Sequence, residues 1–502
     1  MESSETPKNP SLIEQIADGS IGGTQRDKGG NWSKQYGLWV DQKIRGYLDD
    51  SPNQREIVER LGEVGLSVGK LFALQMEDTD NGKMYPSDLD ARTFLEAART
   101  NPSAGDPYSL LPNLHDPAIP YSHAYREPLS QLRESLTNLS LNPDLDEYTK
   151  ALLHAYSFDP ERTSDLTAFH DVDATWVNIP SDTKLLFFAE PTEPYYDPLR
   201  AKLGQDPNVV QWAKDVTRNN QLGPWRNFFE FRLLIQEPSV ISDEDIQTIR
   251  ETSRSLFSRT SDVNPPVSLE FRRLLIASGN GAFPAKVAKN YPNFNDIRDT
   301  IGYKNIVYTN MVEQGVVTQF VPTIEEFFGD TALKEFDIHQ LTRSSALGIV
   351  AHEENHPFQR HEGNTVFEEL KASINGTTAL IKSGKFSERD LHALYLGMIY
   401  GSLFRRKQVL KARSEGDEKT ERGIEAYYKG STILLNFLTE NGAFLTTDGR
   451  VTDIDYSKFE KGIISLSSQL EAVRQGSVPV SEINSNYGNE DVWHQFKSRS
   501  QT

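Results

Sequence analysis

Apolar residues recur at helical spacing through most of the chain, and that period gives way to a β-like one only in the middle. Between Trp39 and Met76 the series Trp39, Ile44, Tyr47, Leu48, Ile57, Leu61, Val64, Val68, Leu71 and Leu74 predicts core helices. Two further helices are predicted from Arg126 to Leu139 and from Leu145 to Tyr156, after a loop dense in Pro, Asn and Asp between Pro102 and Pro120. Four short β-prone runs bounded by turn residues then predict a sheet or small barrel: Thr175 to Ile179, Lys184 to Ala189, Val267 to Phe271 and Asn305 to Thr309. From Leu341 the helical period returns, with long helices predicted at Glu388 to Arg413, Arg422 to Asn441 and Tyr456 to Gln475.

This pattern divides the chain into a flexible tail over 1–30, a mixed α/β region with a helical start over 31–340, a helical region over 341–480 and a loosely held tail over 481–502, from which Trp493 is expected to pack back. There is no internal repeat.

One stretch adds chemistry to the helical region. In Ala351-His352-Glu353-Glu354-Asn355-His356, the two histidines at i and i+4 lie one above the other on a helix and can offer two imidazole nitrogens to one metal ion. Glu353 is then placed to take a proton from a metal-bound water, and Glu369 on a following helix supplies a third ligand. Such a short pattern also occurs on solvated helices. Two features favour the metal site: the lead-in Ser345 to Ala351 is small and apolar, and a Glu-Glu pair opens the next apolar stretch. Pro357 should end the first helix near His356, and Gly363-Asn364 should turn the chain into a second helix over Thr365 to Ile381.

Composition narrows the classes. The 502 residues suffice for a large core, and a net charge of −19 argues against binding nucleic acid or an anionic membrane surface. With no cysteine, disulfides, thiolate ligands and a cysteine nucleophile are excluded, so metal chemistry must use His, Asp and Glu. An N/N/O set favours zinc, with cobalt or manganese able to substitute. The chain has neither a basic-then-apolar start nor an apolar run of roughly 18 residues, so a cytoplasmic location is expected. No phosphate-binding Gly-rich loop is present.

Three other features stay open on their residues alone. Glu190 to Pro198 follows a predicted strand, where Glu193 suits an ammonium group and Tyr195 an oxyanion, but it equally reads as a proline-stiffened turn. Asn290-Tyr291-Pro292-Asn293 carries two amides and reads as a turn. His361, His123 and His170 read as solvated or loop histidines, and Arg405-Arg406-Lys407 as a solvated helix face, with contact to a substrate carboxylate as the alternative.

Taken in order, Glu193-Pro194-Tyr195-Tyr196-Asp197-Pro198, Asn290-Tyr291-Pro292-Asn293, Gly302-Tyr303-Lys304-Asn305, His352-Glu353-Glu354-Asn355-His356 and Glu368-Glu369-Leu370-Lys371-Ala372 resemble the motifs of the dipeptidyl peptidase III family of zinc metallopeptidases. Leu434 to Phe444 resembles it too, so the likeness spans about 185 to 475. It implies an α+β, mostly helical fold of two lobes around a cleft, a helical lobe bearing one zinc ion per chain and a mixed lobe built on a small β-sheet or barrel. It implies His352, His356 and Glu369 as ligands and Glu353 as the base. Glu193, Asn290 and Asn293 would hold a peptide's free amino terminus, with Glu190 a rival to Glu193, and Tyr195 would stabilise the tetrahedral intermediate. The expected activity is release of dipeptides from short peptides, by a monomer or homodimer.

Two departures stand out. Three residues separate the histidines, the spacing of the bacterial and nudix-associated branch, where the family's animal members have four. Tyr427 stands where the family has a histidine that assists the transition state, and Ser431 where it has a substrate-contacting arginine. Tyr427 could donate a hydrogen bond there, but not as a cation. The open alternatives are an enzyme of this fold acting on a small amine- or amide-bearing metabolite, or a catalytically silent peptide-binding relative.

Overall fold

The computed structural model describes residues 38–488 and 496, apart from 42, 51–53, 85–89, 101–105, 114–115, 138, 140–141, 193–207, 209–227, 258–267, 283–286, 293–296, 298–299, 359–364, 417 and 449. The expected tail over 1–30 lies outside the described residues. The chain forms two compact units, one of residues 1–237, 272–286 and 291–304 and one of residues 238–271, 287–290 and 305–502. No helix is long and apolar enough to cross a membrane among the described residues.

The first unit opens with β1 (Leu38–Val40), α1 (Ile44–Asp50), α2 (Arg55–Asp80) and α3 (Ala91–Thr100). In α2, the predicted Leu61, Val64, Val68 and Leu71 recur at three and four residues and are buried, whereas Val58 and not Ile57 fills the core position before them and Leu74 is exposed. Trp39, expected in a helix, lies instead in β1, because Leu38 to Val40 pairs with Ser278 to Ile276. A short ladder of β2 (Ser109–Leu110) and β3 (Ile119–Pro120) leads into α4 (Tyr121–Ala124), α5 (Arg126–Thr137), α6 (Asp146–Ala155) and α7 (Leu166–Val177). Thr175 to Ile179, expected as a strand, contributes the end of α7, whose Phe169, Val172 and Trp176 are buried at helical spacing. The helix face that this β-prone pentapeptide extends overrides its local preference.

The strands β4 (Leu185–Thr192), β5 (Phe228–Gln236), β6 (Ser268–Gly279), β7 (Ala288–Tyr291) and β8 (Lys304–Tyr308) follow the order β4-β5-β6-β8-β7, with β1 paired to β6. Among the described residues the sheet runs open, with β4 and β7 at its ends. Burial on both faces explains why Leu185 to Ala189 of β4 reads as a continuous apolar run without alternation, while β5 carries the charged Glu230 and Arg232, buried and paired with each other. As an end strand, β4 should leave backbone groups unpaired, and aromatic side chains take them up. Tyr148 of α6 accepts from Ala189 N at 3.1 Å, Tyr156 donates to Ala189 O, and Trp176 Nε1 donates to Phe187 O at 3.2 Å.

The second unit consists mainly of α8 (Asp243–Phe257), α9 (Thr309–Gly315), α10 (Val321–Phe328), α11 (Ile338–Asn355), α12 (Thr365–Ser383), α13 (Glu388–Glu415), α14 (Glu418–Glu440), the hairpin β9 (Phe444–Thr447) and β10 (Arg450–Ile454), α15 (Tyr456–Arg474) and α16 (Val480–Tyr487). Asp337 starts α11 by accepting from Gln340 N, Ser387 starts α13 by accepting from Asp390 N, and Gly416 at φ 68° ends it. One apolar cluster centres on Phe320, Ile374, Leu396, Leu435 and Leu466, another on Ile249, Val307, Leu347 and Val350. The end of the chain is held in part: Ile483 is buried, and Phe496 packs edge-on against Phe444 at 5.0 Å, while Trp493 lies outside the described residues.

Candidate metal centre

Two helices of the second unit build the site. The apolar face of α11, with Ala346, Leu347 and Val350, is buried and delivers the motif at its last turn, and α11 ends at Asn355, one residue before His356, as Pro357 requires. The six motif residues split between two faces. Glu354 accepts a bidentate pair from Arg250 of α8, Nε to Oε2 at 2.9 Å and Nη2 to Oε1 at 2.8 Å, and Asn355 donates to Ser253 Oγ at 2.8 Å. These two buried residues bolt α11 to α8, which leaves the half-buried His352, Glu353 and His356 for the other side.

Opposite them runs α12, where Glu369, Ser373 and Gly376 occupy positions i, i+4 and i+7 of one helix face. Each does something different. A Cβ at Gly376 would lie 2.5 Å from the carbonyl oxygen of Ala351 and 3.0 Å from His352 N, so only glycine lets the helices approach this closely at the first histidine. Ser373 Oγ lies 2.9 Å from His352 Nδ1, which leaves Nε2 to face inward. Glu369 Oε2 lies 3.4 Å from that Nε2.

His356 Nε2 lies 2.8 Å from His352 Nε2, the rings meeting edge to face with centroids 4.4 Å apart. Ligand atoms of His352, His356 and Glu369 all fall within 4.8 Å of one another. Two imidazole nitrogens turned toward each other beside a carboxylate can hydrogen-bond among themselves when a ring carries the proton, and they also suit a cation: three N/N/O protein ligands fit zinc with a position left open. Burial pushes the Glu369 carboxyl up, yet the hydrogen bond from His352 and the positive charges of His356, His352 and Arg405 outweigh it and bring the group down to about 2. The carboxylate is therefore ionised, as a ligand must be.

Tyr427 of α14 reaches the same cluster. Burial, then the charge of Glu369, raise its phenol above the ordinary value, opposed by Arg405 and assisted by Glu353 and a hydrogen bond to Glu369. The residue as a whole keeps 39% of its surface exposed, so it borders the cluster and is not sealed inside it. Ser431 is directed elsewhere: its hydroxyl donates to Tyr427 O at 2.7 Å, a bond within α14.

The remaining predicted residues fare differently. Glu193, Tyr195 and Asn293 lie outside the described residues, as does the side chain of Asn290 at the end of β7. Glu190, the rival amine anchor, is fully buried in the first unit, where it accepts from Tyr148 Oη at 3.3 Å and from Tyr291 Oη, which also reaches Asp173. His361 lies outside the described residues, and His123 Nε2 contacts Asp159 O at 2.7 Å. Arg405, expected on a solvated face, is half-buried with its guanidinium 5.0 Å above the Tyr427 ring. Ser373 belongs to no motif singled out in the sequence, although its place one turn after Glu369 is visible there.

No protein-family model matches the chain. It is 22% identical over 384 residues to Nudix hydrolase 3 of Arabidopsis thaliana, a match that covers 71% of this chain and 43% of that protein, so the chain spans less than half of that relative's length. In three dimensions it is similar to the dipeptidyl peptidase III of Caldithrix abyssi, with a TM-score of 0.65 at 16% identity, over 88% of this chain and 91% of that one. It is also similar to the dipeptidyl-peptidase III from Corallococcus sp. strain EGB, with a TM-score of 0.58 at 17% identity, over 83% and 75%. The α+β, mostly helical fold is thus that of the dipeptidyl peptidase III structures.

Proposed function

On the fold that it shares with dipeptidyl peptidase III structures, we propose that the chain is a zinc-dependent exopeptidase that releases dipeptides from the amino end of short peptides. The observation that carries this reading is the convergence of His352 Nε2, His356 Nε2 and a Glu369 carboxylate oxygen within 4.8 Å, with Glu353 on the same turn of α11. Zinc, when bound, supplies a Lewis acid for the scissile carbonyl and lowers the pKa of water toward 7. Glu353 takes the proton of the attacking water and hands it to the leaving amine. Ser373 holds the His352 ring with Nε2 inward, and Tyr427 lies near enough to Glu369 for each to feel the other's charge. Glu193, Asn290 and Asn293 are assigned to the substrate's ammonium group and Tyr195 to the developing oxyanion, on their motif likeness alone.

A second reading, a small amine- or amide-bearing metabolite as substrate, is favoured by Tyr427 and Ser431. The one is a neutral phenol where a cation was expected, and the other spends its hydroxyl on its own helix.

Elemental analysis of wild type and Glu369→Ala, alongside hydrolysis of Arg-Arg-naphthylamide, tests the proposal. One zinc per chain, lost in the variant, with dipeptide release by wild type is the expected result. Zinc without release moves the substrate to the metabolite class, and wild type without zinc overturns the metal site.

A further inference from the structure

Arg405 of α13 poses a problem that its surroundings do not solve. Its guanidinium is half-buried, yet among the described residues it forms no ion pair within 4.0 Å and no hydrogen bond. What it has is a π face, the Tyr427 ring at 5.0 Å, and room on its own helix, since a Cβ at Gly401, one turn earlier, would still lie 3.8 Å from Nη1. Withdrawing a guanidinium from water costs free energy unless an anion meets it. Glu369 is sensed from here, because Arg405 contributes to holding that carboxylate ionised, but it is committed to the two histidines. The fork of donors thus stands beside the ligand cluster with hydrogen-bonding capacity unused.

We infer that Arg405 is an anion-binding residue of the metal centre, receiving the oxygen of the substrate that becomes negative when its carbonyl is attacked. The inference rests on the hydrolase reading above and deepens it. Tyr427 and Ser431, at the two positions where a cation was expected on α14, carry no positive charge, and the neighbouring helix α13 brings one to the Tyr427 ring. Tyr427 provides the ring against which the guanidinium lies. A cation placed in advance where charge develops raises kcat more than it tightens substrate binding.

Arg405→Met keeps the length and apolar stem and removes the charge, and Lys407→Met, an exposed residue paired with Glu326 at 3.1 Å, removes one charge from the same helix as a control. The first readout is binding of inorganic phosphate to the zinc-loaded full chain by titration calorimetry, with zinc content and melting temperature measured on each protein. Phosphate affinity should fall about tenfold or more in Arg405→Met, stay within twofold in Lys407→Met and be partly restored in Arg405→Lys. Zinc content should not change. Equal phosphate affinity in wild type and Arg405→Met, or no phosphate binding by zinc-loaded wild type, overturns the inference. The second readout is peptidase kinetics, where kcat should fall about 100-fold with KM within threefold. Wild type that binds phosphate through Arg405 but releases no dipeptide defeats the peptidase reading and leaves the anion site standing. Unchanged kcat in Arg405→Met defeats the assignment to the reacting oxygen.

Discussion

The tyrosines around β4 in the first unit and the histidines at the end of α11 in the second are both polar clusters inside an apolar surround, but their hydrogen bonds are arranged in opposite ways. Around β4 each donor meets an acceptor: Tyr291 reaches Glu190 and Asp173, Tyr156 reaches a backbone carbonyl, and Tyr148 both gives and receives. At the end of α11 the groups that face one another are all able to hold a metal: two Nε2 atoms 2.8 Å apart and a carboxylate oxygen 3.4 Å from one of them. The first cluster is enclosed by the fold, with the single phenolic proton of Tyr291 between the buried carboxylates of Glu190 and Asp173. The second gathers three groups that suit a positive ion, and Glu354 and Asn355, which complete their own hydrogen bonds with α8, show how the same short motif divides between the two kinds of duty.

If that contrast is right, variants of the second cluster should change metal and rate without changing stability, and variants of the first should do the reverse. The largest effect is expected for Glu353→Gln, which should lower kcat about 10²- to 10⁴-fold with zinc content and melting temperature unchanged. A loss of zinc there would mean that Glu353 is a ligand.

Asp106 gives a pH signature to the first unit. Burial, partly offset by the bond from Tyr108 N at 2.9 Å, raises its carboxyl to about 6 from an ordinary 3.8. The folded state therefore holds this proton more tightly, so stability should fall by about 3 kcal/mol as pH rises from roughly 4 to 6 and be level above that. Asp106→Asn should remove this slope in denaturant titrations and leave zinc binding untouched.

Glu354→Ala removes both hydrogen bonds to Arg250 and should cost about 2–3 kcal/mol in chemical denaturation, less than for a fully buried pair because Arg250 keeps 23% of its side chain exposed. Tyr291→Phe should cost about 2 kcal/mol at unaltered zinc affinity. The smallest change is expected for Ser373→Ala, about tenfold in zinc affinity by competition with a chelator, through loss of the contact that orients His352. A stability loss in Ser373→Ala larger than that in Tyr291→Phe would erase the distinction between the clusters.

Much of this is legible in the residues. The long helices are predicted to within a few residues of their ends because burial of one face dictates both period and length, and helical spacing pairs His352 with His356, while the choice of Glu369 from the Glu-Glu pair comes from the motif resemblance. Thr175 to Ile179 reads as a strand because five residues carry too little periodicity to distinguish one from the end of a buried helix. Arg405 escapes for another reason: a charged residue in a charge run looks solvated until a second helix, distant in sequence, brings a ring over it. Glu190 looks like a candidate anchor beside Glu193, and only the side chains folded onto it from α6 and Tyr291 assign it to the interior.

The aromatic cover of β4 has a consequence for how the protein is made. Leu185 to Ala189 is an aromatic-rich, uncharged end strand, the sort that recruits another chain when its backbone is left open. Its covering groups, Tyr148, Tyr156 and Trp176, all precede it in sequence. During synthesis α6 and α7 leave the ribosome before the strand does, so the sticky edge emerges after its own chaperone has been translated.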